Sequence, residues 1–313
     1  MSVRIGLGVA GGGPDGPASL FRLVDFCERT AIDSLWFSER LASSQPSLEP
    51  MTAMAVTAGR TERLKFGMNV LLLPFRDPLS LAKECATLDY LSGGRLLPAF
   101  GVGAATAPEW RATGRDPAGR GALADEMLEA MQLLWREERA TFHGRHVTLE
   151  DATIAPRPVQ QPLPCWIGGS SDAAIRRTAR LGTGWLAGIQ TPAQVRPVIA
   201  KIRVASAEAG RPLDPDHYGA GFPFRFGSWD EPIVERTAAL YGRLGGTGPR
   251  DLLAVGDAAA IIARCDEYLA AGVSKFVLRP IASSDDEALD QVRRLVDEVL
   301  PIVHARPDPA PSA

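Results

Sequence analysis

The chain has 313 residues, 45% hydrophobic and 23% charged, which suits one large folded domain with a sizeable core and excludes a disordered or low-complexity chain. With 34 basic against 37 acidic residues the formal net charge is −3, so the basic excess of a nucleic-acid-binding protein is missing and a small-molecule substrate is expected instead. No segment reaches the ~18 uninterrupted apolar residues of a membrane span, and Met1–Gly6 does not open a secretory signal, so neither export nor membrane embedding is expected.

Short apolar runs then alternate with longer helical patterns. The predicted strands are Val3–Val9, Ser34–Ser38, Leu64–Leu73, Arg95–Gly101, Pro164–Gly168, Gly184–Gly188, Tyr218–Phe224 and Lys275–Arg279. Several are continuously apolar, as strands of a parallel sheet covered on both faces should be. The first helix, expected from about Ser19, sets Leu20, Leu23, Val24 and Cys27 on one face. Cys27, Cys85, Cys165 and Cys265 lie too far apart for a Cys-x-x-Cys pair and read as reduced thiols in a cytoplasmic protein. Ala104–Gly119 and Gly227–Val255, the latter with a helix over Glu231–Leu244, read as insertions at loop ends. Gly272 closes the penultimate helix, where a left-handed residue is needed. The last helix opens with the Ser284/Glu287 capping box and runs its apolar face through Leu289, Val292, Val296, Val299 and Val303. Residues 1–304 thus form one domain, and Ala305–Ala313, rich in Pro and Ala, is expected to be disordered. Eight such units can close into a barrel or form an open doubly wound sheet, and periodicity alone does not separate the two.

Gly6-Leu-Gly8-Val-Ala-Gly11 spells the dinucleotide fingerprint, but Gly6 and Gly8 fall inside the first strand and Gly12–Pro17 delays the helix, so a nicotinamide site is not favoured. Pro164–Ser171 is a better anion site. A strand runs into Gly168, Gly169, Ser170 and Ser171 at the start of the helix Ala173–Leu181, where free N–H groups and the helix dipole favour a phosphate. Plain capping by Ser171 or Asp172 would explain the hydroxyls but not both glycines. His143-Gly-Arg-His146, with Glu150 and Asp151 near it, reads as a solvated turn rather than a metal site. Trp36-Phe-Ser38-Glu39-Arg40 ends the second strand where barrel active-site loops begin, and Glu39 and Arg40 could equally form a rim ion pair.

Four segments in order resemble the bacterial luciferase-like monooxygenase family. They are Ala31–Glu39; Leu64–Pro74 through Asp77-Pro78; Ala86–Arg95 with Gly101-Val-Gly103; and Pro156–Gln160 through Trp166–Gly169 to Gly184-Trp185. The resemblance implies a (β/α)8 TIM barrel using coenzyme F420 or FMN. It favours the F420-dependent oxidoreductase branch, with an FMN-dependent monooxygenase or a non-catalytic flavin-binding barrel as alternatives. It also implies a non-prolyl cis peptide behind the flavin ring, matching Asn69–Val70 here. Gly103 and Ala104 match the turn near the ring, and Gly168, Gly169, Ser170 and Ser171 the phosphate loop. Ser38 falls at the cofactor, with Glu39 and Arg40 as candidates for proton handling or substrate polarisation. Two positions depart from the deazaflavin pattern: Arg40 stands where some relatives have histidine, and Ala104 where they use glutamate. Relatives often form homodimers through helices flanking the second and third strands.

Overall fold

The computed structural model describes residues 3–9 and 16–306. Its strands in chain order are β1 (Arg4–Val9), β2 (Ser34–Phe37), β3 (Lys65–Met68), β4 (Leu71–Leu72), β5 (Leu96–Leu97), β6 (Ala99–Gly101), β7 (Ala140–His143), β8 (Thr148–Ala152), β9 (Trp166–Gly168), β10 (Gly184–Leu186), β11 (Tyr218–Ala220), β12 (Pro223–Phe226), β13 (Ala254–Gly256) and β14 (Lys275–Pro280). β1 pairs in parallel with β2 and β14, β2 with β3, and β3 with β5. β4 pairs with β6, β6 with β9, β9 with β10, β10 with β11, and β11 with β14. Because β3 and β4, and β5 and β6, are each halves of one interrupted strand, these pairings close a parallel ring. The closed (β/α)8 barrel is therefore the architecture, and the open doubly wound sheet is excluded.

The interruptions explain where the expected strands differ. Leu64–Leu73 breaks at Asn69–Val70, whose peptide bond is cis, and Arg95–Gly101 breaks at Pro98. Tyr218–Phe224 divides into β11 and β12 around Gly221, where a Cβ would lie 2.0 Å from the Val277 carbonyl oxygen. β13 was expected to be part of an insertion; it instead joins the sheet beside β12, too short to show a period of its own. The β7–β8 hairpin is antiparallel and separate from the barrel, and holds the exposed His143 beside Glu150.

Side chains alternate inward and outward along each strand. Outward residues such as Ile5, Leu35, Phe66, Phe276 and Leu278 are buried under the surrounding helices in the main core. The inward set forms its own cluster, with Trp36, Ala99, Trp166, Leu186 and Val277 filling the barrel and Val70 and Leu97 packed against it. Trp36 and Trp166 meet edge to face at 6.2 Å. Such large rings fit because the facing positions are glycine: a Cβ at Gly67 would lie 3.0 Å from Trp36, and one at Gly184 2.6 Å from Trp166. Gly6 belongs to this set, since a Cβ there would fall 2.9 Å from the Trp36 indole nitrogen, which donates to Ser34 Oγ. The glycines of the apparent dinucleotide fingerprint that lie in β1 thus serve barrel packing; Gly11 lies outside the described residues.

At the opposite end from the active-site loops, Lys275 Nζ, 1% exposed, donates to Asp33 Oδ2 at 2.5 Å. Burial brings the Lys275 ammonium down to about 8, and it remains charged at neutral pH. Burial alone would raise the Asp33 carboxyl, but the charges of Lys275 and Lys65 outweigh it and hold Asp33 down to about 2.

Three helix signals resolve differently in detail. The first helix spans Pro17–Glu28, two residues earlier than expected, with proline in its first turn. Ser284 caps the Glu287 N–H, but the Glu287 carboxylate returns to the Ser283 N–H rather than to Ser284, so the reciprocal box is incomplete. The expected face Leu289, Val292, Val299 and Val303 is buried, with Val296 partly so, and a π-turn at Leu295–Val299 widens it to include Leu295 and Leu300. Arg306, expected in a disordered tail, pairs with Asp266 at 2.9 Å; residues 307–313 lie outside the described residues. All four cysteines are free and buried, and burial pushes the Cys27 and Cys165 thiols up to about 12, which makes both poor nucleophiles. Among the described residues no helix is long and apolar enough to cross a membrane.

Candidate active site

The C-terminal ends of the strands, where barrel enzymes build their sites, carry small residues around one wedge. Val70, just after the Asn69–Val70 bond, points into the mouth between Gly101 on β6 and Gly168 on β9. A Cβ at Gly101 would lie 2.6 Å from Val70 Cγ2, and one at Gly168 2.9 Å from Val70 Cγ1. Asn69 is anchored through its N–H to the Phe37 carbonyl at 2.8 Å. Gly103, at φ +71°, turns the chain after β6, and its carbonyl accepts from Arg120 Nε at 3.2 Å. Ala104 is exposed, and its carbonyl accepts from Trp110 Nε1 at 2.8 Å.

The loop after β9 leads into the helix Asp172–Leu181. Gly169 has φ +107°, a left-handed conformation that side chains disfavour, and Trp185 Nε1 fixes its carbonyl at 2.7 Å. Ser171 is the N-cap, accepting from the Ala174 N–H at 3.2 Å, and Ser170 Oγ donates to Gln190 Oε1 at 2.5 Å. Both hydroxyls are therefore engaged within the protein. What the loop offers an anion is the space over Gly169 and the N–H groups at the helix start, the Ala174 N–H being already taken. This donor set fits a phosphate.

Glu39 and Arg40 diverge. The Glu39 side chain is fully buried; its Oε2 accepts from the Leu72 N–H at 2.6 Å and its Oε1 from Arg76, which also reaches Glu49 at 3.0 Å. Burial pushes the Glu39 carboxyl above its ordinary value, against the pull of the Leu72 N–H and the Arg76 charge. With both oxygens engaged, Glu39 is built as a strut that holds β4, two residues beyond Val70, rather than as a free proton carrier. Arg40 is exposed on the rim. Ser38, by contrast, faces the mouth and accepts from Arg279 Nη2 at 3.1 Å.

The luciferase-like monooxygenase family model matches residues 2–275. The chain belongs to the luciferase-like monooxygenase family. It is 30% identical over 183 residues to the F420-dependent glucose-6-phosphate dehydrogenase of Kineococcus radiotolerans, covering 53% of this chain and 51% of that one. It is 31% identical over 176 residues to the pyrimidine monooxygenase of Cronobacter sakazakii, covering 53% and 50%. The chain thus spans about half the length of these curated relatives. An F420-dependent secondary alcohol dehydrogenase, solved with an F420-acetone adduct, shares the fold at TM-score 0.83 and 19% identity, over 97% of this chain and 99% of that one.

In this luciferase-like chain, sequence reasoning passed over four mouth residues: Arg279, Tyr241, Gln190 and Arg76. Arg279 had a usable signal, a charged residue closing an apolar strand at its C-terminal end. Tyr241 and Gln190 had none, because helix and loop positions of that kind look ordinary until the ring closes.

Proposed function

We propose that the protein is an oxidoreductase that holds coenzyme F420 in the barrel mouth and moves a hydride between it and a small organic substrate. The observation that carries this reading is the wedge at Val70, whose methyls fill the space that side chains at Gly101 and Gly168 would need, at the strand ends beside a phosphate-fitting loop. The ring would rest on Val70, with Asn69, Gly103 and Ala104 around it and Ser38 at its edge, while the loop from Gly168 to Ser171 would hold the phosphate. When bound, the cofactor supplies the hydride-carrying ring, and the protein binds, orients and keeps water out. Glu39 serves by holding β4 in register through the Leu72 N–H.

The likeness of Trp36–Glu39 and Leu91–Arg95 to the deazaflavin branch supports F420 over FMN. The pyrimidine monooxygenase relative favours a second reading, an FMN-dependent monooxygenase on the same barrel. Fluorescence titration separates them. F420 is expected to bind at least tenfold tighter than FMN; equal or reversed affinities select the monooxygenase, and binding of neither removes both readings. Tight binding without stereospecific hydride transfer would leave a non-catalytic flavin-binding barrel.

A further inference from the structure

Arg279, inward on β14 at the mouth, is held by two side-chain hydroxyls. Its Nη2 donates to Ser38 Oγ and its Nη1 to Tyr241 Oη, both at 3.1 Å. These are neutral hydroxyls, and both bonds are longer than the roughly 2.7–2.9 Å of a charge-assisted pair. Among the described residues Arg279 forms no ion pair. Arg4 holds Asp216 at 2.8 Å, Arg177 holds Asp125 at 2.6 Å, and Arg225 holds Glu287 at 2.6 Å. The buried Arg95 also lacks an ion pair, but its side chain makes four hydrogen bonds, to the Ser92, Leu64 and Ala58 carbonyls and the Thr61 hydroxyl, against the two of Arg279. The guanidinium lies against Gly8, where a Cβ would come 3.3 Å from its Nε, so bare backbone on β1 makes its place.

Arg279 also lines a cavity of about 460 Å3 between the ends of β1 and β14 and the helices Pro17–Glu28 and Asp285–Arg294. Leu20, Leu23, Leu289 and Val292 give it an apolar wall. Its size falls in the range of small-molecule sites, which combine apolar walls with a few placed polar groups. Two other charged residues border it. Arg22 is engaged with Asp286 at 2.8 Å, and Asp285 sits in the first turn of its helix with Oδ2 buried and without a hydrogen-bond partner among the described residues, so the one carboxylate of the lining leaves the Arg279 charge unneutralised.

We propose that this cavity binds a small organic carboxylate with an apolar body, anchored by Arg279. A planar guanidinium with donors to spare matches a carboxylate in geometry and charge. An apolar wall beside it selects an acid that carries hydrocarbon rather than an inorganic anion. Placed beside Ser38 at the mouth, such an acid is the substrate class of the oxidoreductase above; the word substrate rests on that reading, the binding does not.

Calorimetric titration with octanoate and 1-octanol, with and without F420 present, tests it. Octanoate is expected to bind at least tenfold tighter than 1-octanol. Arg279→Met should cut octanoate affinity at least tenfold and leave 1-octanol within threefold, and Leu23→Trp, which fills the cavity, should weaken both probes. Thermal melts establish that both variants fold. Equal affinity for the two probes overturns the proposal. So does Arg279→Met that binds octanoate like the parent, including the case in which it loses F420 instead. Octanoate binding through Arg279 in a protein that takes no F420 would sustain the site and defeat the cofactor reading.

Discussion

Gly101→Ala tests the geometry of the mouth most directly. Gly101 lies within β6 with no positive φ, so alanine is acceptable to the backbone and any cost must be steric. The new Cβ would stand 2.6 Å from Val70 Cγ2, nearly 1 Å inside ordinary contact at roughly 3.5 Å. Val70 has little room to retreat, because its other methyl faces Gly168, where the Cβ position lies 2.9 Å away. Overpacking of this kind costs about 1–3 kcal/mol, and replacing glycine offsets about 0.4–1 kcal/mol through the unfolded chain. The net is on the order of 1 kcal/mol. With an unfolding entropy of roughly 2.1 cal/mol/K per residue, that lowers the melting temperature of this chain by about 1–3 °C. Cofactor affinity should fall with it, since Val70 is displaced from the floor. The discriminating measurement is a double-mutant cycle by thermal and urea unfolding: in a Val70→Ala background both methyls are gone and Gly101→Ala should cost nothing. A coupling of about 1–3 kcal/mol is expected, and additivity within about 0.5 kcal/mol would refute the wedge.

Two further outcomes are expected. Gly169→Val places a β-branched residue at φ +107°, with its Cβ 3.3 Å from Ala174, and should weaken F420 at least tenfold while sparing the phosphate-free deazaflavin; equal loss for both ligands would take the phosphate away from this loop. Asp33 is held down to about 2 against roughly 3.9 in the unfolded chain, so its contribution is full above about pH 4 and is lost as pH falls through about 2. The stability gap between the parent and Asp33→Asn should therefore shrink by roughly 2–3 kcal/mol from pH 4.5 to 2 in urea titrations, and a constant gap would show that Lys275 does not hold the carboxylate.

The amino-acid sequence by itself determined the succession of strands and helices, because apolar runs and the faces of helices such as Leu20–Cys27 are written over a few residues. It also marked the loop from Gly168 to Ser171, where glycines interrupt an apolar run, whereas Leu64–Leu73 reads as one strand and only the resemblance pointed to Asn69–Val70. Tertiary structure decided the rest. Closure of the ring, not periodicity, separated a barrel from an open sheet, and recruited β13 from a stretch that reads as a loop. It turned Glu39 back onto the Leu72 N–H, and consumed the Ser170 and Ser171 hydroxyls in the protein's own hydrogen bonds. It set Arg279 against Ser38, 241 positions earlier in the chain. The physical reason is range: propensity and capping act within a turn or a strand, whereas a barrel's first and last strands become neighbours only when the sheet closes and their inward side chains share one mouth.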